Sequence, residues 1–131
     1  MKKACLGISI VLILLSLLGC NSDNNIITVK NGNYVMEHEE IESVLLPRVT
    51  VTDDEILFAF DMLSSYLPLG TYSITEDILT MTTNDNKYTY IFQIDGDNLI
   101  FQKDESSTVS LIDDRLGVKV IDKAIFHLEN Y

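Results

Sequence analysis

The sequence contains few cysteines, few basic residues and no tryptophan. Its two cysteines among 131 residues, Cys5 and Cys20, both lie in the N-terminal twenty residues. The chain after residue 20 therefore has no cysteine with which to form an internal disulfide, and its stability must come from packing. Without tryptophan, the core of so small a domain must be built from phenylalanine, tyrosine and aliphatic side chains.

The scarcity of basic residues excludes two classes of partner. Nine Lys and Arg face twenty Asp and Glu, and the formal net charge is −11. Nucleic-acid binding depends on neutralising phosphates, and electrostatic attachment to anionic lipids also needs basic side chains. We therefore expect no nucleic acid partner and no peripheral electrostatic hold on a membrane. Solubility and repulsion from like-charged surfaces explain the acidity itself.

The only long apolar run lies at the N-terminus. Lys2 and Lys3 are followed by an apolar stretch from Ala4 to Leu18 that is broken only by serines and small residues. At about 15 residues, this stretch is shorter than the roughly 20 that a permanent transmembrane helix needs. A positive start, a short apolar core and a small residue before a cut site are typical of a signal peptide. We predict a helical signal peptide over residues 1–19.

The apolar run ends in Leu17-Leu18-Gly19-Cys20, which resembles the lipobox of bacterial lipoproteins. In that signal, a small residue precedes a cysteine that is thioether-linked to diacylglycerol and becomes the first residue of the mature protein. The resemblance implies cleavage between Gly19 and Cys20 and a covalent diacylglycerol, with fatty acids such as palmitate, on Cys20. No other cofactor is expected. The alternative is an ordinary secretory signal that happens to end near a cysteine, and Cys5 does not compete because no apolar run precedes it.

Removal of the signal peptide leaves 112 residues, enough for one domain and too few for two. Lys2 and Lys3 leave with the signal, so that seven basic residues face twenty acidic ones and the net charge becomes −13. An asparagine-rich segment follows. We therefore expect the lipid-anchored cysteine and a flexible tether over 20–33, and a single all-β domain over 34–131. The β-branched stretch Ile26–Val29 is alternatively a short edge strand.

From Tyr34 onwards, short runs of alternating polar and apolar residues are separated by clusters of turn-forming residues. The cleanest run covers 87–94, and we expect it at the centre of a sheet with four large side chains against the core: Tyr88, Tyr90, Phe92 and Ile94. Other predicted strands are Arg48–Thr52, Ile56–Asp61, Thr71–Thr75, Leu79–Thr83 and Leu99–Lys103, with one or two more in Val118–Leu128. The pattern predicts an all-β fold, an antiparallel meander that forms a small lipocalin-like barrel or a sandwich.

Two segments are ambiguous. The acidic and apolar residues between Tyr34 and Pro47 fit one or two turns of amphipathic helix, but Pro47 ends such a helix and disfavours a helical conformation at Leu46. The interpretation that we favour is a strand, an acidic loop and a second strand. The region from Asp104 to Gly117 is expected to be a loop that carries a short strand or a turn of helix.

Several motifs resemble one known family. They are Ser64-Ser65-Tyr66-Leu67-Pro68-Leu69-Gly70-Thr71-Tyr72, Leu79-Thr80-Met81-Thr82-Thr83, Tyr88-Thr89-Tyr90-Ile91-Phe92, Leu99-Ile100-Phe101 and Ser106-Ser107. The set is similar to a small extracytoplasmic β domain of uncharacterised lipoproteins from Gram-positive, clostridia-like bacteria, and to a module appended to some membrane sensor peptidases of the β-lactam-response type. The resemblance implies a compact β-meander on the outer face of the cytoplasmic membrane. It brings no catalytic residues, because the chain lacks the metal-binding motif of those peptidases.

Few residues suggest catalysis or metal binding. His38-Glu39 begins like a zinc-peptidase motif, but Glu42 stands where a second histidine is needed. A hydrolase with Ser64 or Ser65 as nucleophile and His127 as base requires that the fold bring these residues together. Acidic clusters elsewhere lie at predicted turns and lack the spacing of an EF-hand, so that we interpret them as turn residues. We assign no catalytic residue and no metal ligand.

One loop is a candidate binding site. Ser64, Ser65 and Tyr66 lie between two predicted strands, and aromatic side chains on loops often serve recognition. We predict a lipoprotein on the extracytoplasmic face of the cell membrane that acts as a non-catalytic binding or accessory module of the cell envelope. An envelope protein or a small ligand is expected to bind at this loop and at one open end of the barrel. The alternative is an immunity or inhibitor-type protein that binds a basic partner. A hydrolase is the least favoured.

Overall fold

The computed structural model describes residues 26–41, 45–113 and 118–130, and it shows an all-β fold. Each strand pairs antiparallel with the next in the chain, and the first also pairs with the last, so that the sheet closes into an eight-stranded barrel. The strands are β1 (Gly32–Met36), β2 (Arg48–Val51), β3 (Ile56–Ala59), β4 (Leu69–Thr75), β5 (Ile78–Thr83), β6 (Thr89–Asp95), β7 (Asn98–Phe101) and β8 (Ile125–Leu128). The expected meander is confirmed, and it forms a barrel rather than a sandwich.

The folded part of the chain begins slightly earlier than the sequence pattern predicts. β1 starts at Gly32, two residues before the expected boundary, because Gly32 and Asn33 already pair with β2. The Ile26–Val29 stretch has no regular structure, so that the edge-strand alternative is wrong. The predicted signal peptide, with Gly19 and Cys20, lies outside the described residues. No helix in the described ranges is long and apolar enough to cross a membrane.

One predicted strand is absent from the described residues. Glu37 to Ile41 belongs to an acidic loop as expected, but neither 37–41 nor 45–47 forms a second strand before Pro47. At the other end of the chain, one strand, β8, forms within the region predicted to hold one or two, and Val118 to Ala124 is irregular. In both places apolar residues occur without the sustained period of two that a paired strand requires.

Alternate side chains of the strands fill the barrel with a packed core. Phe58 is fully buried at its centre, and its ring centroid lies 5.1–5.8 Å from five other aromatic rings: Phe60, Tyr90, Phe92, Phe101 and Phe126. An eight-stranded barrel is just wide enough for side chains to occupy its interior. The aromatic residues thus replace the disulfides that the folded part of the chain cannot form.

One side chain that was expected in the core lies outside it. Tyr88 is 38% exposed, because the ladder of β6 begins at Thr89 and leaves Tyr88 in the turn after β5. Tyr90, Phe92 and Ile94 are buried, as the alternation predicts. Because the barrel is closed, β6 is flanked like every other strand and has no central position.

The two ends of the barrel differ in their connections. At one end, which we call the closed end, three tight turns join the strands: 52–55, 76–77 and 96–97. At the other, which we call the open end, longer segments join them: 37–47, 60–68, 84–88 and 102–124. The chain enters β1 at the closed end, so that the N-terminal segment and the long connections lie at opposite ends.

Polar contacts fasten the N-terminal segment to the closed end. Asn31 Nδ2 donates a hydrogen bond of 2.6 Å to Asp53 Oδ1, and Lys30 Nζ lies 2.8 Å from Asp97 Oδ1. The Tyr34 hydroxyl donates a hydrogen bond of 2.6 Å to the carbonyl oxygen of Lys30. These contacts fix the chain from residue 30 onwards.

The seam between β3 and β4 is the shortest in the barrel. It pairs Ile56 with Gly70 and Leu57 with Leu69, whereas β4 and β5 pair over six residues. A Cβ atom at Gly70 would overlap the backbone carbonyl of Thr82, so that this position requires glycine for the close approach of β4 and β5.

Beyond β7 the chain continues to serve as a hydrogen-bonding partner of β6. After a short 3-10 helix, Lys103–Glu105, the Ser106 hydroxyl accepts a 2.8 Å hydrogen bond from the Ile91 amide. The Ser107 hydroxyl accepts one of 2.9 Å from the Thr89 amide. These two serines take the place of a strand that ends at Phe101, and their role is structural.

Candidate functional site

Exposed apolar side chains are concentrated at the open end of the barrel. From β1 to the last described residue, every exposed large apolar side chain belongs to that end: Leu45, Met62, Leu63, Tyr66, Leu67, Leu69, Tyr88, Ile112 and Ile121. Met62, in the β3–β4 connection, is 67% exposed, and Ile112, in the β7–β8 connection, is 70% exposed. Apolar surface that is exposed and contiguous commonly marks an interaction site, so that the open end is the candidate site.

A cavity of about 370 Å³ opens among these side chains. The segment after β3, the segment after β7 and the acidic loop contribute its walls. Six apolar and two acidic residues line it: Leu45, Phe60, Met62, Leu63, Leu111 and Val118, with Asp61 and Asp113. Its volume is in the range of small-ligand pockets, roughly 300–1,000 Å³. Among the described residues, no basic side chain lines it.

The Asp61 carboxylate holds two walls of the cavity together. Its Oδ1 atom accepts a 2.9 Å hydrogen bond from the Leu63 amide, and its Oδ2 atom accepts one of 2.8 Å from the Ile112 amide. These residues are 49 positions apart in the chain. The Asp61 carboxylate therefore joins the β3–β4 connection to the β7–β8 connection and fixes the shape of the cavity.

Tyr66 is linked to this cavity by a row of aromatic rings. The Tyr66 ring centroid is 5.6 Å from that of Tyr88, which is 6.3 Å from Tyr90. Tyr90 in turn lies 6.0 Å from Phe60 in the cavity wall. The Tyr66 hydroxyl donates a 2.8 Å hydrogen bond to Asp85 Oδ2. Ring contacts thus connect the predicted loop to the cavity wall through the buried Tyr90.

The Asp85 carboxylate beside Tyr66 is held in its ionised form. It accepts a 2.7 Å hydrogen bond from the Thr83 hydroxyl, one of 3.0 Å from the Lys87 amide and the bond from Tyr66. These hydrogen bonds, with that from Thr83 the strongest, lower the pKa of Asp85 to about 2. The open end therefore keeps a negative charge beside Tyr66 at neutral and mildly acidic pH.

Replacing Tyr66 with phenylalanine should raise the pKa of Asp85 towards that of an ordinary aspartate, because the ionised carboxylate loses one donor. Since the pKa of Asp85 is lowered by folding, its ionised form stabilises the fold above the pKa of the unfolded chain, and this contribution is lost as the pH falls towards 2. In the variant the pKa of Asp85 in the folded chain lies closer to that of the unfolded chain, so that the contribution is smaller and its loss is complete at a higher pH. An NMR titration of the side-chain carboxyl carbon measures the change. Tyr88→Phe, which removes a neighbouring hydroxyl, is the control, and an equal shift there would contradict the assignment.

The structure gives the two serines of the predicted loop a local role. The Ser64 hydroxyl accepts a 3.1 Å hydrogen bond from the Tyr66 amide, which is typical of a turn. Ser65 is exposed. Of the three predicted residues, Tyr66 is the one that the fold joins to the cavity surface.

His127 is not brought together with either serine in the described structure. It lies on the outer wall of β8, where Nδ1 is 2.6 Å from Asn98 Oδ1 and Nε2 is 3.4 Å from Glu37 Oε2. β8 is bordered by β1 and β7, whereas Ser64 and Ser65 follow β3 across the barrel. The hydrolase triad that the sequence allowed is therefore not assembled.

Metal-ligating side chains do not cluster in the described part of the chain. No group of three or more His, Cys, Asp or Glu residues there has an arrangement that could hold an ion. His38 Nδ1 accepts a 3.2 Å hydrogen bond from the Glu40 amide within the acidic loop. At the closed end, Asp53 and Asp97 have the partners Asn31 and Lys30, so that these turn residues contribute to the fold.

The sequence analysis did not identify the residues that line the cavity. Phe60 was expected in a strand, Met62 and Leu63 in a loop, and Leu111 in an irregular region far along the chain. A usable signal was present in Phe60-Asp61-Met62-Leu63, where apolar residues continue past the end of a strand into a connection. Apolar residues that a strand cannot bury are candidates for an exposed interaction surface.

Comparisons with protein-family models, with curated proteins and with solved structures find no match to this chain. The similarity to lipoprotein domains that its motifs suggest stays a prediction. The interpretation of the open end therefore depends on the geometry described above.

Proposed function

We propose that this chain is a lipid-anchored lipoprotein on the extracytoplasmic face of the cell membrane, and that it is a non-catalytic binding or accessory module of the cell envelope. The single observation that carries the proposal is the position of its exposed apolar surface. That surface surrounds a cavity at the open end, whereas the N-terminal segment joins the barrel at the closed end. A lipid on Cys20 would hold the closed end near the membrane and leave the open end facing outwards, towards an envelope protein or small ligand.

The length and charge of the chain near the closed end support this orientation. The nine residues between Cys20 and Lys30 can span at most about 32 Å. The closed end carries six acidic residues in its turns and a seventh, Asp95, at the end of β6. The six are Asp53, Asp54, Glu55, Glu76, Asp77 and Asp97. An anionic membrane repels such a surface. The barrel would therefore stand off from the bilayer with its binding surface accessible.

Photocrosslinking in living cells tests the proposal. A benzoylphenylalanine residue at Met62, on the open end, should yield a discrete adduct in the producing cell. The same residue at Asp54, on the closed end, is the matched control and should yield none. Leu63→Glu introduced beside the probe at Met62 should abolish the adduct. Equal adducts from both ends, or turnover of a substrate by the purified protein, would contradict a binding function of the open end.

The charge of the chain favours a second candidate function, an immunity or inhibitor-type protein with a basic partner. The predicted mature chain has a net charge of −13, and complementary charge accelerates association with a basic protein. A complex of this kind weakens steeply as salt is added. If a partner recovered from the crosslinking experiment bound with the same affinity in low and high salt, this candidate would be contradicted.

A further inference from the structure

The rim of the cavity exposes apolar side chains that a molecule confined to the cavity would not cover. Met62, Leu63 and Ile112 line or border the opening, and more than half of each side chain is exposed. A ligand confined to about 370 Å³ would leave these side chains in water. A polypeptide that inserts one apolar side chain and covers the rim would bury them, as an anchor residue does in a protein interface.

The charges at the open end indicate the chemistry of that polypeptide. Asp61 and Asp113 line the cavity, and Asp85 lies beside Tyr66 at the end of the connected row of rings. The hydrogen bonds to Asp61 in the cavity wall come from backbone amides rather than from basic side chains. Acidic groups around an apolar opening favour a basic segment and disfavour an acidic one. The aromatic faces of Tyr66 and Tyr88, both partly exposed, also attract cations.

We propose that the open end binds a basic segment of a partner protein, with one apolar side chain of that segment inserted between the β3–β4 and β7–β8 connections. The inference rests on the proposed binding function of the open end and specifies its partner. The apolar anchor contacts Phe60 and Leu63, and the flanking basic side chains approach Asp61 and Asp85.

Matched synthetic peptides test this inference. The probes are a short peptide of alternating leucine and lysine, the same peptide with glutamate in place of lysine, and octylammonium as a small amphiphilic cation. Each is titrated calorimetrically into the chain from residue 21 to 131, which contains every strand of the closed barrel. The lysine peptide should bind with one-to-one stoichiometry, and the other two probes should not compete with it.

Three variants locate the binding site. Leu63→Glu should weaken binding of the lysine peptide at least about tenfold, as expected for an anchor contact. Ile121→Glu places the same charge at the same end but outside this cavity, and its binding should match that of the parent chain. Asp85→Asn removes the exposed charge beside Tyr66 and should weaken binding by about two- to fivefold, the usual effect of one exposed charge pair.

The outcomes separate this inference from the proposed function. If the lysine and glutamate peptides bound equally and Leu63→Glu weakened both, the inference of a basic partner would be overturned, but the open end would remain a binding site. If octylammonium bound in a Leu63-dependent way and neither peptide bound, the inference would also be overturned, and the open end would bind a small ligand. Binding of the lysine peptide that Leu63→Glu leaves unchanged would show non-specific attraction to an acidic protein and overturn the inference. Absence of any crosslinked adduct from the probe at Met62 in the chain that keeps Leu63 would instead contradict the proposed function itself.

Discussion

Replacing Phe58 with alanine is expected to lower the free energy of unfolding by about 3 to 5 kcal/mol, the range for truncating a large buried ring. Phe58 is fully buried and contacts rings from β6, β7 and β8 as well as Phe60. Loss of the Phe58 ring would leave an internal cavity at the place where side chains from β6, β7 and β8 meet. Because small domains are stable by only about 5–15 kcal/mol, we expect a large unfolded fraction in the variant near physiological temperature.

Urea denaturation followed by circular dichroism measures this effect. Leu57→Ala is the matched control, since Leu57 is the neighbouring residue on β3 but is half-buried and on the opposite face of the strand. The control should lose much less stability than Phe58→Ala. If the two variants unfolded at the same urea concentration, the aromatic cluster would not be the centre of the core.

Replacing Cys20 with alanine should abolish acylation and processing completely. The proposed anchor is a thioether, and alanine has no sulfur to carry the diacylglycerol. Because cleavage of such signals follows lipid attachment, the variant should also remain uncut after Gly19. The uncut chain keeps its apolar N-terminal run and remains with the membrane, so that fractionation does not distinguish the two forms. Metabolic labelling with a fatty acid and the mass of the purified chain are the informative measurements.

Cys5→Ala is the control for this experiment, because it removes the other cysteine and leaves the lipobox intact. It should be labelled and cleaved like the parent chain. Label retained in Cys20→Ala, or lost in Cys5→Ala, would refute lipid attachment at Cys20. A chain that is cleaved and released without label in either case would instead indicate an ordinary secretory signal.

Most strands could be predicted because their information is local. The alternation in 87–94 and the turn residues at 84–86 and 95–98 place β6 correctly, apart from Tyr88. Barrel closure could not be predicted, because it depends on pairing of Tyr34 with Leu128 and of Met36 with Phe126 across almost the whole domain. No local pattern distinguishes a meander that closes in this way from one that folds into two sheets.

The candidate site was predictable only in part. Tyr66 could be singled out because it is an aromatic residue in a connection that contains Pro68. Its link to Asp85 and the joining of two connections by Asp61 are tertiary contacts between residues 19 and 51 positions apart. The sequence pattern placed Asp61 at the end of a predicted strand but gave no means to assign it two amides on separate connections.

Closure of the barrel affects how copies of this protein would interact when they are crowded on a membrane surface. A protein anchored by one lipid diffuses in two dimensions and meets its own copies far more often than it would in bulk water. An open sheet would offer unpaired backbone groups for strand addition at each encounter, which leads to fibres. Pairing of β1 with β8 satisfies both borders of the sheet within one molecule. The proposed lipoprotein could thus reach high surface density while its copies remain separate and its outward-facing ends stay free for other partners.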